Sequence, residues 1–413
     1  MTDARLRSVD EHLQVVLAGI GSLDPIELTL LDAQGLLLAE NVVSPVALPG
    51  FDNSAMDGYA VRAVDTINAA PEHPALLSVV GDVAAGARSR SGMGPGLAMR
   101  IMTGAPLPAG ADAVVQTEHT DGGLARVALQ RPVRSGENIR RAGEDLLAGT
   151  RALAAGSALG PQQLALLAAL GRDRVVVRPR PRVIVISTGS ELVDVGQVAA
   201  FGEVSDSNSY LVAAAARDAG ADAYRFGIVP DDHAKLLDAL EGQLLRADVL
   251  VTTGGVSMGA FDVVKQALSE VGTVEFTQVA MQPGKPQGFG HLGQNRVPIF
   301  CLPGNPVSAL VSFEVFVRPA IRKMLGKRQI QRATVQATAL ERVESPQGRR
   351  QYRRGVLHRD AGGGYSVTFV GGSGSHMIAS LASSNCLVIL HEEVTEVRAG
   401  STVTVMPLLL SHR

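Results

Sequence analysis

The fold of the chain is indicated most clearly by residues 248–272, DVLVTTGGVSMGAFDVVKQALSEVG. An apolar run rich in β-branched residues comes first, as in a buried strand, and a glycine-rich turn follows it. Apolar residues then recur at helical spacing until Gly272. The stretch therefore predicts a strand, a tight turn and a helix in immediate succession.

The same alternation of strand and helix occurs three more times. The strand-like runs are RVIVIS (182–187), DAYRFGIV (222–229) and VPIFCLPG (297–304), and the helical segments after them are NSYLVAAAARDAG (208–220), DDHAKLLDALEGQLLRA (231–247) and NPVSALVSFEVFVRPAI (305–321). Strands that alternate with helices predict a parallel sheet with right-handed crossovers. In such a sheet, a ligand binds outside the carboxyl ends of the strands.

Three of these strands end in glycine-rich turns: STGSEL at 187–192, TTGGVSMG at 252–259 and LPGNP at 302–306. Glycine lets backbone N–H groups approach an anion closely, and a helix N-terminus adds a favourable dipole. A purely structural use of glycine at strand ends is the alternative, which three turns in one sheet disfavour. None of these three turns has the pattern GxGxxG or GxxxxGK[ST], so they do not indicate a dinucleotide fold or a Walker loop. The turns predict a site for a phosphate-bearing ligand, with these candidate binding residues: Thr188, Gly189, Gly254, Gly255, Ser257, Pro303, Asn305 and Pro306.

The rest of the chain has a different character. Ser8 and Glu11 form a capping-box pattern before a predicted helix over 9–20, and Pro161 opens a second helix that stops at Gly171. Between them lies a segment rich in glycine and proline with short β-like runs. After Leu325, strand-like segments separated by turn residues replace the helical pattern.

These changes predict a multidomain α/β protein. We expect an interrupted N-terminal domain that contains both helices (1–43 plus 147–180) and an inserted β-rich domain (44–146). An α/β domain (181–326) and a C-terminal β-barrel-like domain (327–413) follow.

Composition excludes several classes of protein. The formal net charge of −2 provides no overall basic field, so nucleic-acid binding is not predicted. The chain has two cysteines, Cys301 and Cys386, without paired spacing, which argues against a disulfide framework or a thiolate zinc site. The N-terminus lacks the apolar segment of a secretory signal, and no apolar run approaches the ~20 residues that span a bilayer. We expect a cytoplasmic protein without a membrane or nucleic-acid partner.

Five carboxylates stand in polar loops or at predicted ligand-facing ends: Asp57, Asp145, Glu191, Asp231 and Asp262. Carboxylates are hard oxygen ligands, and a phosphoanhydride substrate usually brings Mg²⁺ held by one or two of them plus phosphate oxygens. For each residue alone, a helix N-cap or a solvated turn is the alternative. The joint position of Glu191, Asp231 and Asp262 near the glycine-rich turns favours a magnesium site.

Cations and one histidine stand close to the same segments. Arg140 and Arg141 precede Asp145, and Lys285 flanks the α/β turns, where a cation would neutralise phosphate or another oxyanion. His376, in a glycine-serine loop, suits hydrogen bonding as well as it suits catalysis.

Seven segments together resemble the molybdopterin molybdenumtransferase family, the MoeA family, which is related to the E domain of gephyrin. They are FDNSAMDGYAVR (51–62), MTGAPLPAGADAVVQTE (102–118), ENIRRAGEDL (137–146), STGSEL (187–192), TTGGVSMGAFDVVK (252–265), QPGKP (282–286) and LPGNPVSAL (302–310). The match covers essentially the whole chain in one order. TTGGVS and LPGNP alone would also fit pterin-adenylylating relatives, which lack the MDGYA and GED segments.

The resemblance implies an elongated homodimer with an active site shared between subunits. It implies that molybdate enters the dithiolene of adenylylated molybdopterin, with Mg²⁺-dependent hydrolysis of the adenylyl phosphoanhydride and release of AMP. The pterin adenylyltransferase and molybdoenzyme apoproteins are further implied partners.

The resemblance also implies roles for residues at matching motif positions. The inserted domain would contribute Asp57, Thr103, Arg140 and Asp145, and the α/β domain would contribute Glu191, Asp231 and Asp262. The family's molybdate pocket matches Lys285, Pro286, Ser308, Arg354 and Ser375.

One departure from the family pattern concerns charge. The family commonly has lysines just before PGKP, where this chain has Gln278 and Gln282, which can hydrogen-bond an oxyanion but supply no charge. Two other functions stay open at this point: a molybdopterin adenylyltransferase, and a non-catalytic dimeric scaffold of the gephyrin-E type. Tungstate, nearly equal to molybdate in size and charge, is an open alternative substrate.

Overall fold

The computed structural model describes residues 6–86, 92–255 and 261–408, the last range without the side chains of 261–263. The chain divides into two units, one of residues 28–175 and the other of the residues up to 27 together with those from 176 onward. Within the described ranges, no helix is both long and apolar enough to span a membrane.

The helices follow the predicted periodicity closely. Ser8 caps the first helix in a capping box with Glu11: the Glu11 amide donates to Ser8 Oγ (3.1 Å) and the Ser8 amide to Glu11 Oε2 (2.8 Å). A π-helical turn, Phe313–Val317, joins the last two helices of the α/β region. The helices are α1 (Val9–Ala18), α2 (Pro161–Ala169), α3 (Asn208–Ala219), α4 (His233–Gln243), α5 (Phe261–Val271), α6 (Pro306–Ser312), α7 (Arg318–Met324) and α8 (Ile378–Ala382).

The strands fall into several sheets. Up to residue 178 they are β1 (Ile26–Thr29), β2 (Leu37–Leu38), β3 (Val42–Val43), β4 (Asn53–Ser54), β5 (Gly58–Val61), β6 (Ala75–Val83), β7 (Leu97–Ile101), β8 (Ala113–Gln116), β9 (Arg126–Leu129), β10 (Ile139–Arg140), β11 (Arg151–Leu153) and β12 (Arg174–Arg178). Beyond it they are β13 (Arg182–Thr188), β14 (Leu192–Val193), β15 (Val204–Ser205), β16 (Asp222–Val229), β17 (Val249–Thr253), β18 (Gly272–Gln278), β19 (Met281–Gln282), β20 (Pro286–Leu292), β21 (Val297–Leu302), β22 (Val335–Ala339), β23 (Val343–Glu344), β24 (Arg350–Arg359), β25 (Tyr365–Phe369), β26 (Cys386–Leu390), β27 (Glu396–Val397) and β28 (Thr402–Pro407).

The α/β region is built on a six-stranded sheet of order β16-β13-β17-β21-β20-β18. β16, β13, β17 and β21 pair in parallel, which confirms the predicted parallel sheet for the four strands quoted above. β20 and β18 add an antiparallel edge that the sequence patterns did not predict. Their connections contain no helix, and strands joined by such short links pair antiparallel.

Both faces of this sheet are covered, as its apolar strands require. Along β13, Val183 and Val185 face a core that includes α1, α3, α6 and α7, whereas Ile184 and Ile186 face α4 and α5. Cys301 belongs to the second core and is fully buried, and burial raises the pKa of its thiol to about 12. Cys301 is therefore a core residue that stays protonated at neutral pH.

The helices α1 and α2, which the sequence predicts in one domain, fall in different units of the structure. α1 buries Val9, Leu13 and Val16 in the core of the α/β region, and α2 belongs to the unit of residues 28–175. Helical spacing shows which side of a short helix must be covered, but not which core covers it. The domain boundaries remain predictions.

Residues 335–407 form the predicted C-terminal barrel. The strand order of the sheet is β19-β24-β25-β22-β28-β26, and an additional β24–β26 pairing closes a ring of five strands, to which β19 (Met281–Gln282) is attached through β24. Closure leaves the ring without an unpaired edge. In the unit of residues 28–175, the main sheet has the order β8-β5-β7-β6-β9, which agrees with the predicted β-rich insertion.

Candidate active site

A cleft of about 960 Å³ lies at the carboxyl ends of β13, β17 and β21. This is the edge where the sequence predicts a ligand. The predicted site residues that line the cleft are Glu191, Gly254, Gly255, Lys285, Pro286, Pro303, Asn305, Pro306, Ser308 and Ser375. The structure therefore brings residues of all three glycine-rich turns together with the residues matched to the family's molybdate pocket.

The turn after β17 depends on Gly254. Its φ is 96°, and a Cβ there would lie 2.2 Å from the carbonyl oxygen of Thr188. The Gly254 amide donates to the carbonyl of Leu302 at 3.1 Å. A side chain at residue 254 would therefore push the ends of β13 and β17 apart.

Glu191 and Asp231 stand on two loops that hydrogen bonds hold together. The Ser190 amide donates to Asp231 Oδ2 (3.4 Å), and the Asp231 amide donates to Ser190 Oγ (3.1 Å). The Glu191 carboxylate folds back over Gly189, with Oε2 2.6 Å from the place that a Cβ of Gly189 would take. Glu191 lines the cleft, whereas Thr188, Gly189 and Asp231 lie behind or beside its wall.

Two predicted residues fall where little is described. Ser257 lies outside the described residues, and the side chain of Asp262, in α5, is not described. Among the described residues, no group of three or more histidine, cysteine or acidic side chains is arranged to hold a metal. Glu191 and Asp231 could therefore hold an ion only with further ligands.

The loop that carries Lys285 forms another wall of the cleft, and buried hydrogen bonds hold it in place. Gln287 Nε2 donates to the carbonyl of Gly284 (2.5 Å) and to Ser312 Oγ (2.6 Å). Ser308, in α6, is 4% exposed and lines the cleft. Ser375 is tied to the same helix because its carbonyl accepts from the Val307 amide at 3.0 Å.

Arg354 contacts the loop that carries Ser375. It is 4% exposed and lines a small adjoining cavity rather than the main cleft. Its Nη1 donates to the carbonyl of Gly374 (3.0 Å) and its Nη2 to that of Gly372 (2.6 Å). Burial, and to a smaller extent the neighbouring Arg353, lowers the pKa of Arg354. The side chain therefore shapes the loop that presents Ser375.

In the unit of residues 28–175, the structure joins Asp57 and Thr103. Asp57 Oδ1 accepts from the Thr103 amide (2.7 Å) and from Thr103 Oγ1 (2.8 Å). These two hydrogen bonds lower the pKa of Asp57, so the exposed group is a carboxylate at neutral pH. Arg140, in β10, and Asp145, whose amide donates to Leu48, are also exposed.

Sequence reasoning missed Asp206 and Asn208, which line the cleft. Asp206 is 1% exposed and accepts from Ser187 Oγ (2.9 Å) and from the Ser209 amide (3.1 Å). Asn208 Nδ2 donates to the carbonyl of Gly304 at 2.6 Å and so attaches α3 to the LPGNP turn. The sequence feature that could have indicated them is the polar run just before a helix. Such a run is typical of helix N-caps as well as of binding sites.

Arg349, Ser373, His376 and Gln282 also line the cleft. His376 stood out in the sequence for its loop. No local pattern indicated Arg349 or Ser373, because they reach the cleft through the fold of the barrel.

Comparison with known proteins agrees with this geometry. Residues 7–171 match the family described as MoeA N-terminal region (domain I and II), and residues 184–323 match the probable molybdopterin binding domain. Residues 336–408 match the MoeA C-terminal region (domain IV).

Curated relatives match over nearly their whole length. Molybdopterin molybdenumtransferase 1 of Mycobacterium tuberculosis is 46% identical over 97% of this chain and 98% of its own. Molybdopterin molybdenumtransferase of Haemophilus influenzae is 39% identical over 92% and 93%. A crystal structure of a molybdopterin biosynthesis MoeA protein from Pyrococcus horikoshii superposes with a TM-score of 0.84 at 32% identity, covering 98% of this chain and all of that one.

Proposed function

The chain belongs to the molybdopterin molybdenumtransferase (MoeA) family, and from this premise we propose that it inserts molybdate into the dithiolene of adenylylated molybdopterin. In this reaction the two dithiolene sulfurs bind molybdenum, and hydrolysis of the adenylyl phosphoanhydride releases AMP. The observation that carries the proposal is the cleft itself, where the glycine-rich turns meet Lys285, Ser308 and Ser375.

The two walls of the cleft suit the two parts of this chemistry. Gly254, Gly255 and the LPGNP turn place backbone groups at the mouth of the sheet, where they suit the phosphate of the pterin. Lys285 supplies positive charge, and the hydroxyl groups of Ser308 and Ser375 supply donors for molybdate. Arg354 takes part through the loop of Ser375, which it holds by two carbonyls.

The acidic residues fit Mg²⁺, which would polarise the phosphate oxygens of the phosphoanhydride when bound. Glu191 and Asp231 provide oxygen donors only, and too few for a site made by the described protein residues alone. That donor set suits an ion that takes its remaining ligands from water and substrate phosphate, as Mg²⁺ does. Asp262 is our third proposed ligand.

We also propose catalytic roles for residues of the inserted domain. Asp57, oriented by Thr103, is held as a carboxylate and can accept a proton from water. Arg140 and Asp145 are exposed and available to a substrate. We propose that Asp57, Thr103, Arg140 and Asp145 take part in the reaction.

We also propose that the chain acts as a homodimer. The segment after β14 exposes large apolar side chains that a solvated loop does not need: Phe201 is 109% exposed and Val198 is 96% exposed. Exposed apolar groups of this size are typical of protein contact surfaces. An adenylyltransferase that delivers the substrate and the apoproteins that accept the product are further proposed partners.

Molybdate-triggered AMP release tests the proposed function. Purified protein is mixed with adenylylated molybdopterin and Mg²⁺, and AMP is followed before and after molybdate is added. The proposal predicts AMP release only after molybdate is added. Accumulation of adenylylated molybdopterin from molybdopterin and Mg-ATP would instead identify an adenylyltransferase.

A further inference from the structure

Arg349 lines the cleft, and its side chain has no partner among the described residues. Its side chain is half-buried. Within the part of the chain that the structure describes, no carboxylate, carbonyl or aromatic ring pairs with its guanidinium. A half-buried cation that faces a cleft without a counterion is available to an anionic ligand.

The neighbouring arginines are all engaged. Arg350 forms a bidentate pair with Asp10 (2.7 and 2.9 Å) and lies 3.1 Å from Glu392. The guanidinium of Arg353 lies 5.9 Å above the ring of Phe369, and that of Arg354 holds loop carbonyls. Arg349 therefore differs from the other three arginines of the run 349–354.

The backbone on either side of Arg349 is fixed. The Gly348 amide donates to the carbonyl of Glu392 (2.8 Å), and the Arg350 amide donates to that of Ala280 (2.9 Å). The hydrogen bond from Arg350 to Ala280 lies at the beginning of the parallel pairing of β24 with β19, in which Met281 is opposite Arg350. Arg349 is thus anchored beside the loop that carries Lys285, and only its side chain is free to meet a ligand.

The charges of the cleft favour an anion at this wall. Among the described residues that line the cleft, the lysine and arginine are Lys285 and Arg349. Gln282, which also lines it, is uncharged. Asp206 does not cancel them, because Arg225 lies 3.4 Å from its carboxylate and serine donors occupy it. Glu191 follows β13, and two strands, β17 and β21, separate β13 from β20, the strand that begins just after Lys285.

We propose that Arg349 binds an oxyanion together with Lys285. The ligand class is a tetrahedral oxyanion, either free molybdate or the phosphate of the substrate. The planar guanidinium offers two parallel N–H donors to such a group, and Lys285 adds a point charge. This assignment rests on the proposed function, because that function supplies both anions.

The test compares anion binding by full-length protein and three variants, Arg349→Gln, Arg349→Lys and Arg359→Gln. Arg359 is exposed, lies at the far end of β24, outside the cleft, and provides the matched loss of one charge. Sodium molybdate alone and AMP with Mg²⁺ are titrated separately by calorimetry, and thermal unfolding checks the fold of each variant. We expect Arg349→Gln to weaken one of the two anions about tenfold, Arg349→Lys to recover part of the loss, and Arg359→Gln to bind as wild type.

The two titrations identify the source of the oxyanion. Weaker molybdate binding assigns Arg349 to the metal oxyanion, and weaker AMP binding assigns it to the phosphate; either result supports the inference. An Arg349→Gln variant that binds both anions as the wild type does, or a wild type that binds neither, would overturn it. The proposed function fails separately, if wild-type protein releases no AMP when molybdate is added.

Discussion

Asp57 is an exposed carboxylate whose hydrogen bonds from Thr103 hold it in one orientation. Asparagine at this position keeps an acceptor for Thr103 but removes the charge and the basicity. We therefore expect Asp57→Asn to fold normally and to lose about 100-fold or more in the rate of AMP release. Steady-state assays with adenylylated molybdopterin measure the loss.

Asp121 provides a matched control for this change. It lies in the same unit and accepts from the amides of Gly123 (3.1 Å) and Ala128 (3.0 Å), which lower its pKa, but it belongs to no predicted site. Asp121→Asn should retain the wild-type rate. Equal activity of Asp57→Asn and wild type would remove Asp57 from the proposed site.

His12, in α1, provides a second test at the scale of one residue. It is 2% exposed and packs edge-on against Phe316. Burial, with a smaller contribution from Arg7, lowers its pKa to about 4. As the pH falls from about 6.5 toward 4, the unfolded chain takes up a proton that the folded chain does not. Stability is therefore lost in this range, by about 3 kcal/mol when the pH reaches 4.

We expect His12→Gln to reduce this acid sensitivity. The measurement is the free energy of unfolding of wild type and variant at pH 7 and at mildly acidic pH, with the exposed His73→Gln as control. The stability difference between the two pH values should shrink in His12→Gln and stay unchanged in His73→Gln. An unchanged acid dependence in both variants would contradict a buried neutral imidazole.

At the scale of elements, the loop 371–376 depends on Arg354. A lysine can donate to one carbonyl but lacks the planar guanidinium whose two nitrogens bind the carbonyls of Gly372 and Gly374 at once. Arg354→Lys should therefore speed hydrogen exchange in this loop and weaken molybdate binding about tenfold. Arg353→Lys is the control, because Arg353 contacts Phe369 instead. Unchanged exchange in the loop of Arg354→Lys would show that other contacts order it.

Element type could be predicted where one periodicity covers a whole segment. The four parallel strands and α1 to α5 follow from apolar runs and helical spacing. The antiparallel pair β18 and β20 could not, because Gly288 and Gly290 interrupt the apolar pattern of β20. The core against which α1 packs could not be predicted either, since the apolar side of this helix fits any core that can cover it.

The site residues also divide into those that a local sequence pattern predicts and those that it does not. The turns at 187–192, 252–259 and 302–306 follow strands directly, so the sheet places them at one edge. Arg349 and Asp206 reach the cleft through contacts distant in sequence, and Arg349 carries no local pattern at all. Arg354 and Ser375 could be predicted only from the resemblance to a family.

At the scale of the whole molecule, the proposed homodimer makes a direct prediction. If the apolar side chains around Phe201 lie in a subunit contact, Phe201→Ser combined with Val198→Ser should weaken the dimer. Light scattering coupled to size exclusion measures the mass over a dilution series. Leu245→Ser, at a side chain that is 84% exposed on another segment, is the control. A wild-type chain that stays monomeric at all concentrations would contradict the proposal.

We propose that one cleft couples hydrolysis of an adenylyl phosphoanhydride to insertion of molybdenum. The most direct test measures AMP and pterin-bound molybdenum in the same single-turnover reaction with adenylylated molybdopterin, Mg²⁺ and molybdate. If the two steps are coupled, both products appear together and in equal amounts. AMP released without molybdenum insertion, or molybdenum inserted while the phosphoanhydride stays intact, would contradict it.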